Sequence, residues 1–150
     1  MLVSLVGTAV ETAVLAALDE RGLGGVKARH GYVFQRLLEG PATATEMARS
    51  LEISQQAMSK TVRELAGLGY VRETSDPADG RRSPVELTDA GREVVAVSRR
   101  TRRSLESRLR RRVGASRADE AAEVLRAMLD LLDLGGPVRT RTVRPPAGTF

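Results

Sequence analysis

Residues 76–92 read DPADGRRSPVELTDAGR, and the fold depends on what that stretch is. Asp76-Pro77-Ala78-Asp79 has the make-up of a type I turn, aspartate first and proline second, and Asp79-Gly80 is a pair that tolerates positive φ. On either side the hydrophobic period is two, in Tyr70-Val71-Arg72-Glu73-Thr74 before the turn and Pro84-Val85-Glu86-Leu87 after it. The stretch is therefore expected to be the reversal of a β-hairpin. Arg81 leaves near its apex with Arg82 beside it. Asp79 is placed to hold a neighbouring guanidinium extended while Asp76 closes the turn. Pro84 removes one ladder donor, which implies an edge or a bulge in the second strand.

Upstream of the hairpin the period is helical. Thr43-Ala44-Thr45-Glu46 spells a capping box, in which threonine and glutamate satisfy each other's orphan backbone donors, so a short helix runs from there to Leu51. Ile53-Ser54 makes a tight turn, and Ser54 caps a helix reaching about Leu68, stopped by Gly69. Before these, a helix fits Lys27 to Leu38 with Tyr32, Val33, Phe34 and Leu37 facing inward, closed by Glu39-Gly40-Pro41. The first twenty residues form an amphipathic helix through Leu2, Leu5, Val6, Ala9, Ala13 and Ala16, ended by Gly22 and Gly24.

Downstream, Thr88 caps a long arginine-rich helix with Val94, Val97, Thr101, Leu105 and Leu109 on one side. Gly114 breaks it, and Ser116 begins a last helix bearing Ala121, Val124, Leu125, Met128, Leu131 and Leu132. After Gly135-Gly136-Pro137 no periodicity remains, and a flexible basic tail, 135–150, is expected. The fold class is mainly α with a small two-stranded β-wing (α+β).

Composition narrows the chemistry. In 150 residues there is no cysteine, which removes disulfides, thiolate metal sites and thiol redox chemistry, and a single histidine, His30, argues against a histidine metal site. No cofactor is expected, nor an enzyme: there is no glycine-rich phosphate loop and no evident carboxylate pair in a strand-to-loop setting. The formal net charge of +5 favours a polyanionic or acidic partner. Glu11 interrupts the apolar N-terminal run and no basic segment precedes it, so neither a signal peptide nor a membrane span is expected, and the location is taken as cytoplasmic.

Within the helix capped by Ser54, the polar residues Gln56, Ser59, Lys60 and Arg63 share one face, while Met58, Val62 and Leu65 share the other. A helix fits the major groove; glutamine can bridge adenine N6 and N7, arginine can fork onto guanine, and lysine or serine can meet phosphate. A polar stripe is also the rule on any surface helix, so the helix alone leaves DNA reading and a plain solvated face about equal. The hairpin with arginine at its tip, close behind that helix, favours DNA, because an arginine on a narrow ribbon can enter a minor groove. The alternative is a winged-helix protein-interaction module without sequence-specific DNA binding.

Residues 40–92, from Gly40-Pro41 through Gly91-Arg92, resemble the MarR (multiple antibiotic resistance regulator) family of winged helix-turn-helix regulators. The resemblance rests on an Asp-x-x-Asp-x-Arg wing signature at Asp76, Asp79 and Arg81, and on Leu-Thr-x-x-Gly at Leu87, Thr88 and Gly91. The flanking helices extend it more weakly over residues 1–134. Arg82 stands where a smaller residue is more usual. The resemblance implies a ligand-responsive repressor that binds a pseudo-palindromic operator as a homodimer, with double-stranded DNA contacted by Ser54, Gln55, Gln56, Ser59, Lys60, Arg63, Asp79, Arg81 and Arg82. It further implies dimerisation helices at 1–25 and 112–134 around a DNA-binding domain with connecting helix at 26–111. A small aromatic or phenolic effector would sit between the dimerisation helices and the DNA-binding lobe, where Arg29, His30 and Tyr32 could line its pocket; a structural histidine near the dimer seam is the other reading of His30. The arginines of the long helix either pair with acids of the last helix, such as Asp119, Glu120 and Glu123, or add to the field that draws DNA inward.

Overall fold

A computed structural model describes residues 2–74, 83–134, 136, 145 and 148–150. Six helices and one hairpin follow in the order α1 (Leu2–Asp19), α2 (His30–Leu37), α3 (Ala44–Leu51), α4 (Gln55–Gly67), β1 (Val71–Glu73), β2 (Val85–Leu87), α5 (Asp89–Val113) and α6 (Ala115–Leu131). The strands pair antiparallel, Val71 opposite Leu87 and Glu73 opposite Val85. The hairpin expected around the opening stretch is therefore present at its base, whereas Asp76, Asp79, Arg81 and Arg82 lie outside the described residues.

Local signals set most boundaries. The Thr43 hydroxyl accepts from the Glu46 N–H at 3.2 Å while the Glu46 carboxylate accepts from the Thr43 N–H at 2.8 Å, the reciprocal box that starts α3. Ser54 accepts from the Ala57 N–H at 3.1 Å and starts α4. At the far end of α4, Gly69 takes φ +77°, and the N–H groups of Gly69 and Tyr70 return to the carbonyls of Ala66 and Leu65. That closing motif needs a left-handed residue, which glycine supplies without a steric cost.

Three boundaries differ from expectation. α2 starts at His30 and not at Lys27, because the preceding turn is held by i→i−3 bonds from His30, Gly31 and Tyr32 to Lys27, Ala28 and Arg29. The strands are shorter than 70–74 and 84–87: the Tyr70 carbonyl is taken by the Thr88 N–H, and Val85 exchanges both backbone bonds with Ala42, at 2.9 and 3.1 Å. That bridge gives the hairpin a third short neighbour, and Pro84, having no N–H, still accepts from the Thr74 N–H at 2.8 Å. α6 starts at Ala115 behind Gly114, and Ser116 instead bonds Glu120 at 2.9 Å.

One hydrophobic cluster joins α1–α5 and the hairpin. Val33, Phe34 and Leu37 from α2, Met47 and Leu51 from α3, Met58, Val62 and Leu65 from α4, Val85 and Leu87 from β2, and Val94 and Val97 from α5 all contribute to it, with Val14 and Leu18 arriving from α1. The Tyr70 hydroxyl donates to the Gly24 carbonyl at 2.8 Å while its ring meets Phe34 edge-on, which ties the loop after α1 to the hairpin. Gly91 is buried under this joint, and a Cβ there would collide with the Tyr70 carbonyl.

The two ends of the chain are different. Only Val14 and Leu18 of α1 and Ala118 of α6 are buried, while Leu2, Leu5, Val6, Val124, Leu125, Met128 and Leu131 stand exposed. By length and composition α1 is apolar enough to cross a membrane, with a mean hydropathy of 1.6 even with Glu11, the residue that argued against a span at the level of sequence, included. Its C-terminal half nonetheless packs on α5 within the folded domain.

Candidate nucleic-acid interface

α4 has two faces with opposite tasks. Met58, Thr61, Val62 and Leu65 are buried, and the Thr61 hydroxyl is satisfied by the Ala57 carbonyl at 3.0 Å, so nothing on the inner face competes with packing. The outer face carries Gln55, Gln56, Lys60 and Arg63, all exposed, with Ser54 exposed at the N-cap. Ser59 is half-buried, and its carbonyl accepts from the Arg63 Nε at 3.3 Å. The structure thus brings Ser54, Gln55, Gln56, Lys60 and Arg63 onto one accessible surface, with Ser59 at its edge. A rod anchored by its apolar face and presenting amide and cationic groups on the other can enter a groove without refolding. The described base of the wing adds Arg72, held by Glu86 across the strands at 2.6 Å.

Behind α4 lies a cluster assembled from residues far apart in the chain. Glu64 Oε2 accepts from Arg29 at 2.6 Å, from Lys27 Nζ at 3.3 Å and from His30 Nε2 at 3.3 Å. His30 is fully buried, and its Nδ1 accepts the Lys27 N–H at 3.2 Å. With Nδ1 an acceptor, the neutral ring must carry its proton on Nε2 and donate to Glu64. His30 and Arg29, expected in an effector pocket, therefore fasten the start of α2 to α4. The partners of Glu64 are 34–37 residues away, so no local pattern marks it.

Burial lowers the His30 pKa from 6.5 against the opposing pull of its hydrogen bond to Glu64, and the His30 and Arg29 hydrogen bonds hold the Glu64 carboxyl down to about 2. Both shifts make the fold bind fewer protons than the unfolded chain, so both favour folding at neutral pH and are lost on acidification. The histidine contribution is complete above 6.5 and falls as pH drops through its lowered folded value; the Glu64 contribution is complete above 4.5 and falls toward pH 2. The urea midpoint should decline from pH 7 to pH 5. His30→Gln should flatten that limb, and an unchanged slope in the variant would refute the assignment.

A cavity of about 610 Å³ opens among α1, α2, α3 and α5. Val14, Leu18, Phe34, Leu51 and Val94 give it apolar walls, and Tyr32 lines it, whereas Arg29 and His30 do not. Its charged lining is Lys27, Arg36, Arg99 and Arg102 against Glu11 and Glu39. Tyr32 also meets the ring of Phe150, with centroids 6.3 Å apart. Among the described residues no group of His, Asp and Glu side chains suits a metal ion. Of the long-helix arginines, Arg110 grips Asp119 of α6 through two bonds of 2.7 and 3.2 Å, and Arg100 pairs with Glu93 at 2.6 Å.

Residues 24–82 match the family model described as MarR family. Among curated proteins, an uncharacterised HTH-type transcriptional regulator of Mycobacterium bovis is 29% identical over 94 residues, which is 63% of this chain and 63% of that protein. Among solved structures, RV1404 from Mycobacterium tuberculosis superposes with a TM-score of 0.72 at 17% identity, covering 85% of this chain and 88% of that one. The S. aureus MepR–DNA complex superposes with a TM-score of 0.70 at 17% identity, covering 86% and 96%.

Proposed function

We infer that this chain is a DNA-binding transcriptional regulator of the MarR family, whose model matches residues 24–82. The observation that carries this reading is the two-faced α4, buried through Met58, Val62 and Leu65 and open through Gln55, Gln56, Lys60 and Arg63, with a hairpin directly after it. The MepR neighbour was solved with DNA, which supports the same partner here. Gln56 and Arg63 read base edges, Lys60 and the Ser54 end of the helix meet phosphate, and Arg81, flanked by Asp79 and Arg82, reaches the minor groove.

The assembly is a homodimer in a cytoplasmic setting. Exposed aliphatic stripes on α1 and α6 have no cover among the described residues of one chain, and stripes of that kind mark an interface. A two-fold axis through them would set the recognition helices roughly one helical turn, ~34–36 Å, apart on a pseudo-palindromic operator. The same cover explains how a helix as apolar as α1 stays in solution. The cavity that Tyr32 lines is the seat of a small aromatic effector whose binding releases a repressed operator; such an effector acts only by favouring one spacing of the two reading helices over another.

Fluorescence anisotropy on labelled duplex from the region upstream of the gene tests the core of this reading. Lys60→Ala should weaken all sequences alike and lower the salt slope by about 1, since one phosphate contact is lost. Arg63→Ala should cost about 1–3 kcal/mol at one preferred base and relax the preference there. Binding without sequence preference, unchanged by either substitution, would leave only a protein-interaction module.

A further inference from the structure

Lys27 is placed between two sites. Of the three side chains that donate to Glu64 Oε2, it alone also lines the cavity. Glu64 sits on α4, next to Arg63 and one turn after Lys60, so whatever holds Glu64 also holds the exposed face of that helix. Arg29 and His30 bind the same oxygen from outside the cavity and give the joint its fixed part. The Lys27 side chain is more than half exposed and its ammonium lies 3.3 Å from its acceptor, which makes it the donor most easily drawn elsewhere. The cavity lining is mixed in charge but richer in cations, with Lys27 beside Arg36, Arg99 and Arg102 facing Glu11 and Glu39.

We propose that Lys27 is a shared cation coupling the cavity to the DNA-reading helix: an anion seated in the cavity draws Lys27 from Glu64 and loosens α4 from the start of α2. The exchange of partners stands on the geometry of this chain, and only its consequence for DNA rests on the regulator reading above. Such an anion binds the two arrangements unequally, because only one of them offers it a free ammonium, and that inequality is what any effector needs in order to act.

Gly31 allows a test without a ligand. It lines the cavity four residues after Lys27, across a turn with helix-like bonds, and nothing lies within 4 Å of a Cβ built there. Gly31→Glu places a tethered carboxylate within reach of Lys27, and Gly31→Gln controls for volume. The Glu64 carboxyl is followed by 13C NMR from pH 6 down to pH 1, so that the range spans its value of about 2, and affinity for the upstream duplex by anisotropy. Gly31→Glu and Lys27→Gln should each raise the Glu64 titration and weaken DNA binding about two- to five-fold, the range of one exposed ion pair. Gly31→Glu should add nothing in the Lys27→Gln background, and Gly31→Gln should do neither. A Glu64 titration that ignores Gly31→Glu, or that moves as far without Lys27 as with it, overturns the coupling. If the titrations behave as stated while even the unsubstituted protein shows no DNA binding, the coupling holds and the regulator reading falls.

Discussion

Gly91→Ala is expected to lower folding stability by about 3 kcal/mol, at the upper end of what one added methyl does in a packed interior. At this position the new Cβ meets the Tyr70 carbonyl, which is backbone and already accepts the Thr88 N–H at 3.1 Å. A flexible side chain could turn away; this carbonyl can move only if the first turn of α5 lifts off the hairpin. That lift would also strain the Thr88 cap, whose hydroxyl accepts from the Gly91 N–H at 3.1 Å and donates to the Gly69 carbonyl at 2.6 Å. For a chain of this size the melting temperature should drop by roughly 6–12 °C. A drop under 2 °C would show that the helix and the hairpin are not locked together here.

The second large effect concerns assembly. Leu125→Glu combined with Met128→Glu places two carboxylates on the exposed face of α6, where only Ala118 is buried within the chain. In the proposed homodimer these charges would face each other or an apolar wall, and neither offers them a partner. Light scattering at micromolar concentration should give the mass of a single chain, with helical content by circular dichroism nearly unchanged. DNA affinity should then fall at least ~100-fold, because two linked half-sites bind more tightly than one by about 10²–10⁴. A doubly substituted protein that remains dimeric would place the interface elsewhere.

The parts of the fold that could be read from sequence are those with local causes. The Thr43–Glu46 box, the Ser54 and Thr88 caps, the stop at Gly69 and the break at Gly114 each involve residues a few positions apart, and the structure has them where the sequence put them. The change of period from helix to strand after Gly69 was as clear, and it located the hairpin to within a residue or two. On α4 the division between Met58, Val62 and Leu65 and the exposed Gln56, Lys60 and Arg63 follows directly from helical geometry.

Relations between distant segments could not be read. Nothing near Ala42 announces its bridge to Val85, and nothing near Glu64 announces Lys27, Arg29 and His30. In sequence His30 is an isolated titratable group between Arg29 and Tyr32, and of that trio only Tyr32 lines the cavity. Charge types and spacing alone could not have separated a pocket wall from a structural joint, since both want the same side chains. The start of α2 is hidden for a similar reason: a run of i→i−3 bonds has nearly the hydrophobic spacing of an α-helix and differs in its backbone, not its side chains.

α5 runs for 25 residues, about 37 Å, and its two halves belong to different surroundings. Val94, Val95 and Val97 seat its first turns in the core, whereas Leu109 near the other end is half exposed and hands the chain to α6 through Gly114 at φ +88°. Mechanically this is a lever clamped at one end with a swivel at the other. A pivot of only 5° about the clamp, with an arm of about 24 Å from Val97 to Val113, sweeps the far end through about 2 Å, more than the length of a carbon–carbon bond. A disturbance too slight to unpack anything around Val94 would thus emerge, a helix-length away, as a stroke large enough to change how two such chains grip one another.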